Sequence, residues 1–354
     1  MSYAARYAVC ILALEQAVLQ HMAIPLSILD QSPVLSGSTP ADAVAATIEL
    51  ARHAERLGYA RFWLSEHHAM AGLADASPEI LLARLTAETQ RIRLGTGGIM
   101  LPHHAALKVA ESFRMLEALA PGRIDLGVGR APGGTGLVSV ALESRNAADF
   151  PGQIEETIAF MRGELPAQHP FARLVAMPSG ERSPDVWILG SSEYGALLAA
   201  EMGLPYAYAH FIGGDAQSVM HAYRARFRST PERPEPRSMI ALTAIAAPTE
   251  AEAEALALPV ALWRMRLLRG HAGPVPSVAE AEAYPWTPLE RHEVARTRRA
   301  LTGTPETVRA GIEALVASHA ADEAMIVTIV PDTASRLRSY ELLADAFSLA
   351  AVAA

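Results

Sequence analysis

From Met22 onward the chain alternates short apolar runs with stretches of helical periodicity, and it does so until the C-terminal region. That alternation is the sequence form of βα units wrapped around a parallel sheet, and it constrains the fold more than any single motif does. The strand-like runs cover residues 24–30, 61–66, 93–101, 123–130, 185–190, 206–211, 238–247 and 324–330. Helices are punctuated between them. Thr39-Pro40 and Ser77-Pro78 each offer an N-cap followed by proline at the first helical position, and Gly58 and Gly203 stand where left-handed helix ends form. Further helices are predicted near 105–120, 192–203 and 249–258, and from strand eight to about Phe347. The reading is an α/β protein, a (β/α)8 barrel with insertions after strands 4 and 7. Those insertions, 131–184 with one short helix near 153–161, and 269–302, rich in Pro, Trp and His, are predicted to be loops hanging over the site.

A chain of 354 residues with 51 % hydrophobic and 19 % charged residues buries a large core, and residues 23–350 read as one barrel domain. Residues 1–22 read as a helical extension, or as the product of an upstream start codon with Met22 as the true first residue. They make a poor signal peptide, because Arg6 is the sole cation ahead of the apolar stretch 8–14 and Glu15 interrupts it. A net charge of −8 without a basic run argues against a nucleic-acid partner, and no run is long enough to span a bilayer. Cys10 is the only cysteine, which excludes an internal disulfide, a C-x-x-C pair and a Cys-rich zinc site, and fits a cytoplasmic protein. Ala- and Leu-rich helices with few charges suggest a homo-oligomer.

In such a barrel the chemistry sits at the carboxyl ends of the strands. The residues there are Asp30, then Glu66, His67 and His68, then His103 and His104, then Arg130, then Ser191 and Ser192, and finally His210. Five histidines of twelve on one rim point to function. Lys108 is the only lysine and falls inside a helix, so Schiff-base chemistry lacks its amine. No G-x-S-x-G elbow is present. The glycine pattern from Gly127 to Gly133 has Pro132 in the wrong place and no helix after it, so a dinucleotide fingerprint fails. Gly190, Ser191 and Ser192 deliver a strand into a helix N-terminus, where backbone N–H groups, two hydroxyls and the helix dipole favour an anion. Ser192 acting only as a helix cap is the alternative. Arg130 ends the neighbouring strand and has the planar fork that suits a phosphate.

Four segments, Leu64-Ser-Glu-His-His68, Gly95-Thr-Gly-Gly-Ile-Met-Leu-Pro102, Arg123-Ile-Asp-Leu-Gly-Val-Gly-Arg130 and Ile188-Leu-Gly-Ser-Ser192 with Gly203-Leu-Pro205, occur in the order and spacing of the bacterial luciferase-like flavin monooxygenases. The chain resembles the single-chain members of that family from about Ile24 to Phe347. The resemblance implies a barrel that binds FMN as reduced FMN, supplied by a separate NAD(P)H-dependent flavin reductase, and uses O2 on a small-molecule substrate. It implies Arg130 and Ser192, with Gly190 and Ser191, as phosphate ligands, and His67 as the imidazole at the reacting face of the flavin. Gly97-Gly98 falls where the family often has a cis peptide under the ring. Asp30, His68 and His104 then belong to the substrate region or to the groups supporting it. Gly129 stands where luciferase subunits have cysteine, so long-chain aldehyde oxidation and light emission are not carried over.

Three other readings remain: a deazaflavin-dependent oxidoreductase on the same barrel, a flavin-binding protein without turnover, and a metal-dependent hydrolase using His67, His68, His103, His104 and Asp30. The last is weakened because adjacent strand residues point to opposite faces and no H-x-H or H-E-x-x-H spacing occurs. No metal site is expected.

Overall fold

In the computed structural model, which describes residues 24–180, 182–297 and 300–350, eight parallel strands close into a barrel. They are β1 (Leu26–Asp30), β2 (Arg61–Leu64), β3 (Arg93–Thr96), β5 (Ile124–Gly129), β6 (Asp185–Gly190), β7 (Tyr206–Ala209), β8 (Ser238–Ala246) and β10 (Glu323–Val327). Pairing of β10 with both β8 and β1 completes the closure. Two short strands are added outside the ring: β4 (Ile99–Met100) on β5 and β9 (Leu301–Gly303) on β8.

The helices begin where their caps dictate. Thr39 and Asp42 form a reciprocal capping box at the start of α1 (Pro40–Leu57), and Gly58 closes it in the left-handed region at φ 86°. Helices α2 (Pro78–Glu88) and α3 (Ala106–Leu119) follow β2 and β4. Along each strand, residues alternate between a seam against these helices and the barrel interior. Leu26, Ile28, Phe62 and Leu64 join the outer core, whereas Leu29, Trp63, Trp187 and Met325 fill the inside. Trp63 and Trp187 meet edge to face with centroids 5.5 Å apart. Gly95 is the residue that admits them, since a Cβ there would lie 2.6 Å from the Trp63 indole nitrogen.

The N-terminal end of the barrel is closed by charge. Asp125 is fully buried: one oxygen accepts from Arg61 Nη1 at 2.6 Å and Trp63 Nε1 at 3.0 Å, the other from Arg93 Nε at 3.1 Å and Nη2 at 2.5 Å. Arg61 also reaches Glu323 at 3.0 Å, and Ser27 donates to the same carboxylate at 2.5 Å.

Several expected boundaries move. The third run, 93–101, is not one strand. It breaks at Gly97-Gly98, which is a cis peptide, resumes as β4 and passes into a 3-10 turn at Leu101–His103. The sixth run stops at Ala209, and α7 (His210–Gly213) takes the residues beyond it.

The stretch 131–184 holds α4 (Gly136–Ala141) and α5 (Phe150–Arg162), and α5 packs on α3 in the outer ring rather than over the mouth. Its buried face, Ile154, Thr157, Phe160 and Met161, needs that seam. Next come α6 (Glu193–Met202) and α8 (Gln217–Arg226). Helix α9 (Glu250–Leu268) runs ten residues past the expected end, through Pro259. Burial of Val260, Leu262, Trp263 and Met265 offsets the hydrogen bond that proline removes. The stretch 269–302 is not structureless either: it forms α10 (Val278–Ala283), α11 (Pro288–Thr297) and the start of β9, before α12 (Pro305–Ser318) and α13 (Thr333–Ala346). The predicted N-terminal extension lies outside the described residues. Among the described residues, no helix is long and apolar enough to cross a membrane.

Candidate active site at the C-terminal mouth of the barrel

The mouth is floored by bare backbone. A Cβ on Gly97 would lie 2.7 Å from Leu29 Cδ1 and 3.2 Å from Trp63 Cε3, and one on Gly98 would lie 2.7 Å from the Gly127 carbonyl oxygen. Both positions exclude a side chain on packing grounds. Around this floor, Leu35, Met70, Leu189 and Phe211 are half-buried against the barrel's interior cluster, which gives the mouth an apolar wall.

The loop after β2 supplies His67 and His68 on opposite sides. His67 Nδ1 lies 2.9 Å from Asp75 Oδ2 and its side chain is 22 % exposed, so the ring is held from behind, and among the described residues its other nitrogen has no partner. His68 Nε2 and His104 Nε2 both reach Glu66 Oε1, at 2.7 and 2.8 Å, while Glu66 Oε2 accepts from the Met100 N–H at 2.8 Å. Glu66 is thus a buried hub joining the loop after β2 to the turn after β4. His103 joins the same edge to the 131–149 segment, with 2.5 Å to Ser144 Oγ and 2.7 Å to the Pro132 carbonyl.

This hub sets a pH window. Burial pushes the Glu66 carboxyl up, but hydrogen bonds from His104, Met100 and His68 outweigh it and hold it below its ordinary 4.5. Burial pulls His104 down, but the Glu66 hydrogen bond and charge outweigh it and hold it above its ordinary 6.5. The Glu66 contribution to stability is present above 4.5 and disappears as pH falls through the depressed value. The His104 contribution is present below 6.5 and disappears as pH rises through the raised value. The difference in Tm between the protein and its Glu66→Gln variant is therefore expected to be widest between pH 4.5 and 6.5 and to narrow on both sides. Melting curves across pH check it, and a difference that does not vary with pH would contradict it.

Across the mouth, β5 and β6 run side by side, pairing Val128 with Ile188. Arg130 follows β5 and is exposed, and its guanidinium carbon sits 4.1 Å from the centre of the Tyr194 ring in the first turn of α6. That contact brings Arg130 to the N-terminus of α6. Ser192 holds the N-cap position with extended backbone, φ −148° and ψ 169°, yet its side chain makes no capping bond. Ser192 therefore occupies the cap position without a side-chain cap bond. Ser191 and Gly190 are half-buried beside it, Glu193 is exposed, and Tyr206 Oη donates to the Ser192 carbonyl at 3.3 Å. A cation, two hydroxyls and uncapped backbone N–H groups form a donor set suited to a phosphate monoester.

The remaining residues fall elsewhere. Asp30 is fully buried below the mouth, with Oδ1 accepting from Arg336 Nη2 at 2.7 Å and from the Ser32 N–H at 2.8 Å. His210 does not join the other rim histidines: within α7 its ring packs edge-on against His319, centroids 5.8 Å apart. The rim therefore carries four histidines rather than five. Their nitrogens face Asp75, Glu66, Ser144 and Pro132, and among the described residues no group of three His, Cys, Asp or Glu side chains could hold a metal ion. Asp75 and Tyr194 escape the strand-end reading. Asp75 sits mid-loop, and a ring beneath an arginine leaves no trace in spacing.

The sequence matches the model of the luciferase-like monooxygenases over residues 24–322. The chain belongs to that family. Like its relatives it is an oxidoreductase by membership. It is 44 % identical over 334 residues to YwcH of Bacillus subtilis, covering 92 % of this chain and 99 % of that one. It is 38 % identical over 327 residues to N-acetyl-S-alkylcysteine monooxygenase of the same organism, covering 91 % and 98 %. The crystal structure of apo-MsnO8 superposes with a TM-score of 0.87 at 39 % identity, covering 94 % of this chain and all of that one. The same barrel also occurs in remoter structures, a 3,6-diketocamphane monooxygenase in complex with FMN and an F420-dependent secondary alcohol dehydrogenase, at 19 % and 13 % identity, so the fold alone does not choose the cofactor.

Proposed function

We propose that this chain is a monooxygenase that uses reduced FMN and O2 on a small organic substrate, with the reduced FMN delivered by a separate NAD(P)H-dependent reductase. The observation that carries the reading is Arg130 stacked on Tyr194 at an α6 N-terminus whose Ser192 hydroxyl is left free. Arg130, Ser191, Ser192 and the backbone from Gly190 onward would hold the phosphate, and Gly97 and Gly98 would offer the ring bare backbone. When bound, reduced FMN supplies the electrons for oxygen activation. His67 holds or moves a proton at Nε2. Leu35, Met70, Leu189 and Phe211 exclude water and accept the apolar part of a substrate.

The test is a titration of the protein with FMN, reduced FMN, riboflavin and a deazaflavin cofactor, with absorbance followed on admission of air. Reduced FMN is expected to bind at least about tenfold more tightly than reduced riboflavin, the difference being the charge-assisted bonds to phosphate. Preference for the deazaflavin would transfer the site to that cofactor. Bound reduced FMN that meets oxygen at the rate of the free coenzyme would make the protein a binder without turnover.

A further inference from the structure

We infer that Asp75 is a positioning residue that holds His67 in the tautomer with the proton on Nδ1, leaving Nε2 as the atom that handles protons in the mouth. The inference deepens the proposed function and rests on its assignment of His67.

Asp75 lies in the stretch Leu73-Ala-Asp-Ala76, where its neighbours in sequence are alanines, yet its side chain is only 1 % exposed. Burying a carboxylate is costly unless it is paired and hydrogen-bonded. Its Oδ2 has His67 Nδ1 at 2.9 Å, and the backbones of the same two residues are joined by the His67 N–H to Asp75 carbonyl bond at 3.4 Å. Oδ1 has no partner among the described residues. The imidazole is therefore the one polar side chain that Asp75 engages there, which is the arrangement expected of a carboxylate whose task is to orient a ring.

The charged groups around the pair agree with this direction. Asp30, from β1, faces Asp75 and repels its charge, and Arg336, from α13, is committed to Asp30 at 2.7 Å and so does not take the place of His67. Glu66 on the same loop is committed to His68 and His104. Burial pushes the Asp75 carboxyl above its ordinary value, and the hydrogen bond from His67 works against that push. With Asp75 ionised, only Nδ1–H can donate to it, and the Nε2 lone pair is left toward the mouth.

The test uses the full chain labelled with 15N-histidine and no cofactor. Ring nitrogens are read by long-range proton–nitrogen correlation at a pH where the ring is neutral, and His67→Gln identifies the signal. The expected result is a protonated Nδ1 and an unprotonated Nε2. Asp75→Ala, and Asp75→Leu, which fills the same volume without an acceptor, are expected to return the ring toward the Nε2–H form that a free side chain favours. The Nε2–H form in the unsubstituted protein, or an unchanged tautomer in whichever of the two variants folds, overturns the inference.

A second readout is the rate at which protein-bound reduced FMN is reoxidised in air. Asp75→Leu is expected to change it by about 10- to 100-fold with FMN affinity kept within about twofold, and to add nothing further in a His67→Ala background. Additive effects would show that Asp75 acts apart from His67 and would overturn the inference. If His67→Ala leaves reoxidation unaltered, the functional assignment of His67 fails, while the nitrogen spectra still decide the role of Asp75.

Discussion

Replacing Asp125 by alanine is expected to cost about 3–5 kcal/mol of folding stability, because it removes the acceptor from two guanidinium groups that stay behind. The side chain of Arg61 is 3 % exposed and that of Asp125 is fully buried, so water cannot take the place of the lost carboxylate. Arg61 would keep Glu323 at 3.0 Å, and Arg93, 28 % exposed, would keep Asp185 at 3.4 Å. Trp63 Nε1 would lose its acceptor at 3.0 Å, inside the layer that supports Gly95 and Gly97. Desolvation of the stranded arginine dominates the loss, since the pair itself roughly balances its own burial. Asp125→Asn keeps the shape and two of the acceptor positions, and should lose less. The shift in urea midpoint at unchanged slope measures both. A loss below about 1 kcal/mol for Asp125→Ala would mean that Glu323 and Asp185 re-pair the two arginines, and that the charged floor is redundant.

The contrast between that network and the helices explains what could be read in advance. Thr39-Pro40 and Gly58 act on the few residues beside them, so α1 is legible from its own segment. Strand identity is nearly as local, since an apolar run of five or six residues between helical patterns has few other uses. The ends of strands are less so. The third run breaks at Gly97-Gly98, where the Gly127 carbonyl from β5 and Leu189 from β6 leave no room for a side chain at residue 98, and no window around residue 97 contains those neighbours.

The same limit governs the site. His67, Arg130 and Ser192 could be named because strand ends in a barrel converge, whereas Asp75 and Tyr194 act through contacts set by loop and helix geometry. His210 shows the reverse error. Its place at a strand end makes it a rim residue on paper, but it opens α7 and its ring turns to His319, a contact across 109 residues of sequence. The length of the stretch 131–184 predicts a covering loop with one short helix, and only the seam of α5 on α3 shows that this helix belongs to the outer ring.

Arg130→Ala is expected to weaken FMN binding by about 1.5 to 3 kcal/mol, tenfold to more than a hundredfold. Among the described residues Arg130 makes no ion pair, and its guanidinium carbon lies 4.1 Å from the centre of the Tyr194 ring. An exposed arginine held over a ring, with no carboxylate partner among the described residues, keeps its donors for something else, and the Ser192 hydroxyl, which makes no cap bond, stands at the same helix end. The loss should therefore belong to the phosphate: riboflavin affinity should be the same in the variant and in the parent, so that the preference for FMN collapses. Stability should hardly change, since the removed side chain is exposed. Arg130→Lys should recover only part of the affinity, because a point charge lacks the fork and stacks less well on Tyr194. Equal losses for FMN and riboflavin would instead show that Arg130 shapes the mouth through Tyr194, and an unchanged dissociation constant would place the phosphate elsewhere on the rim.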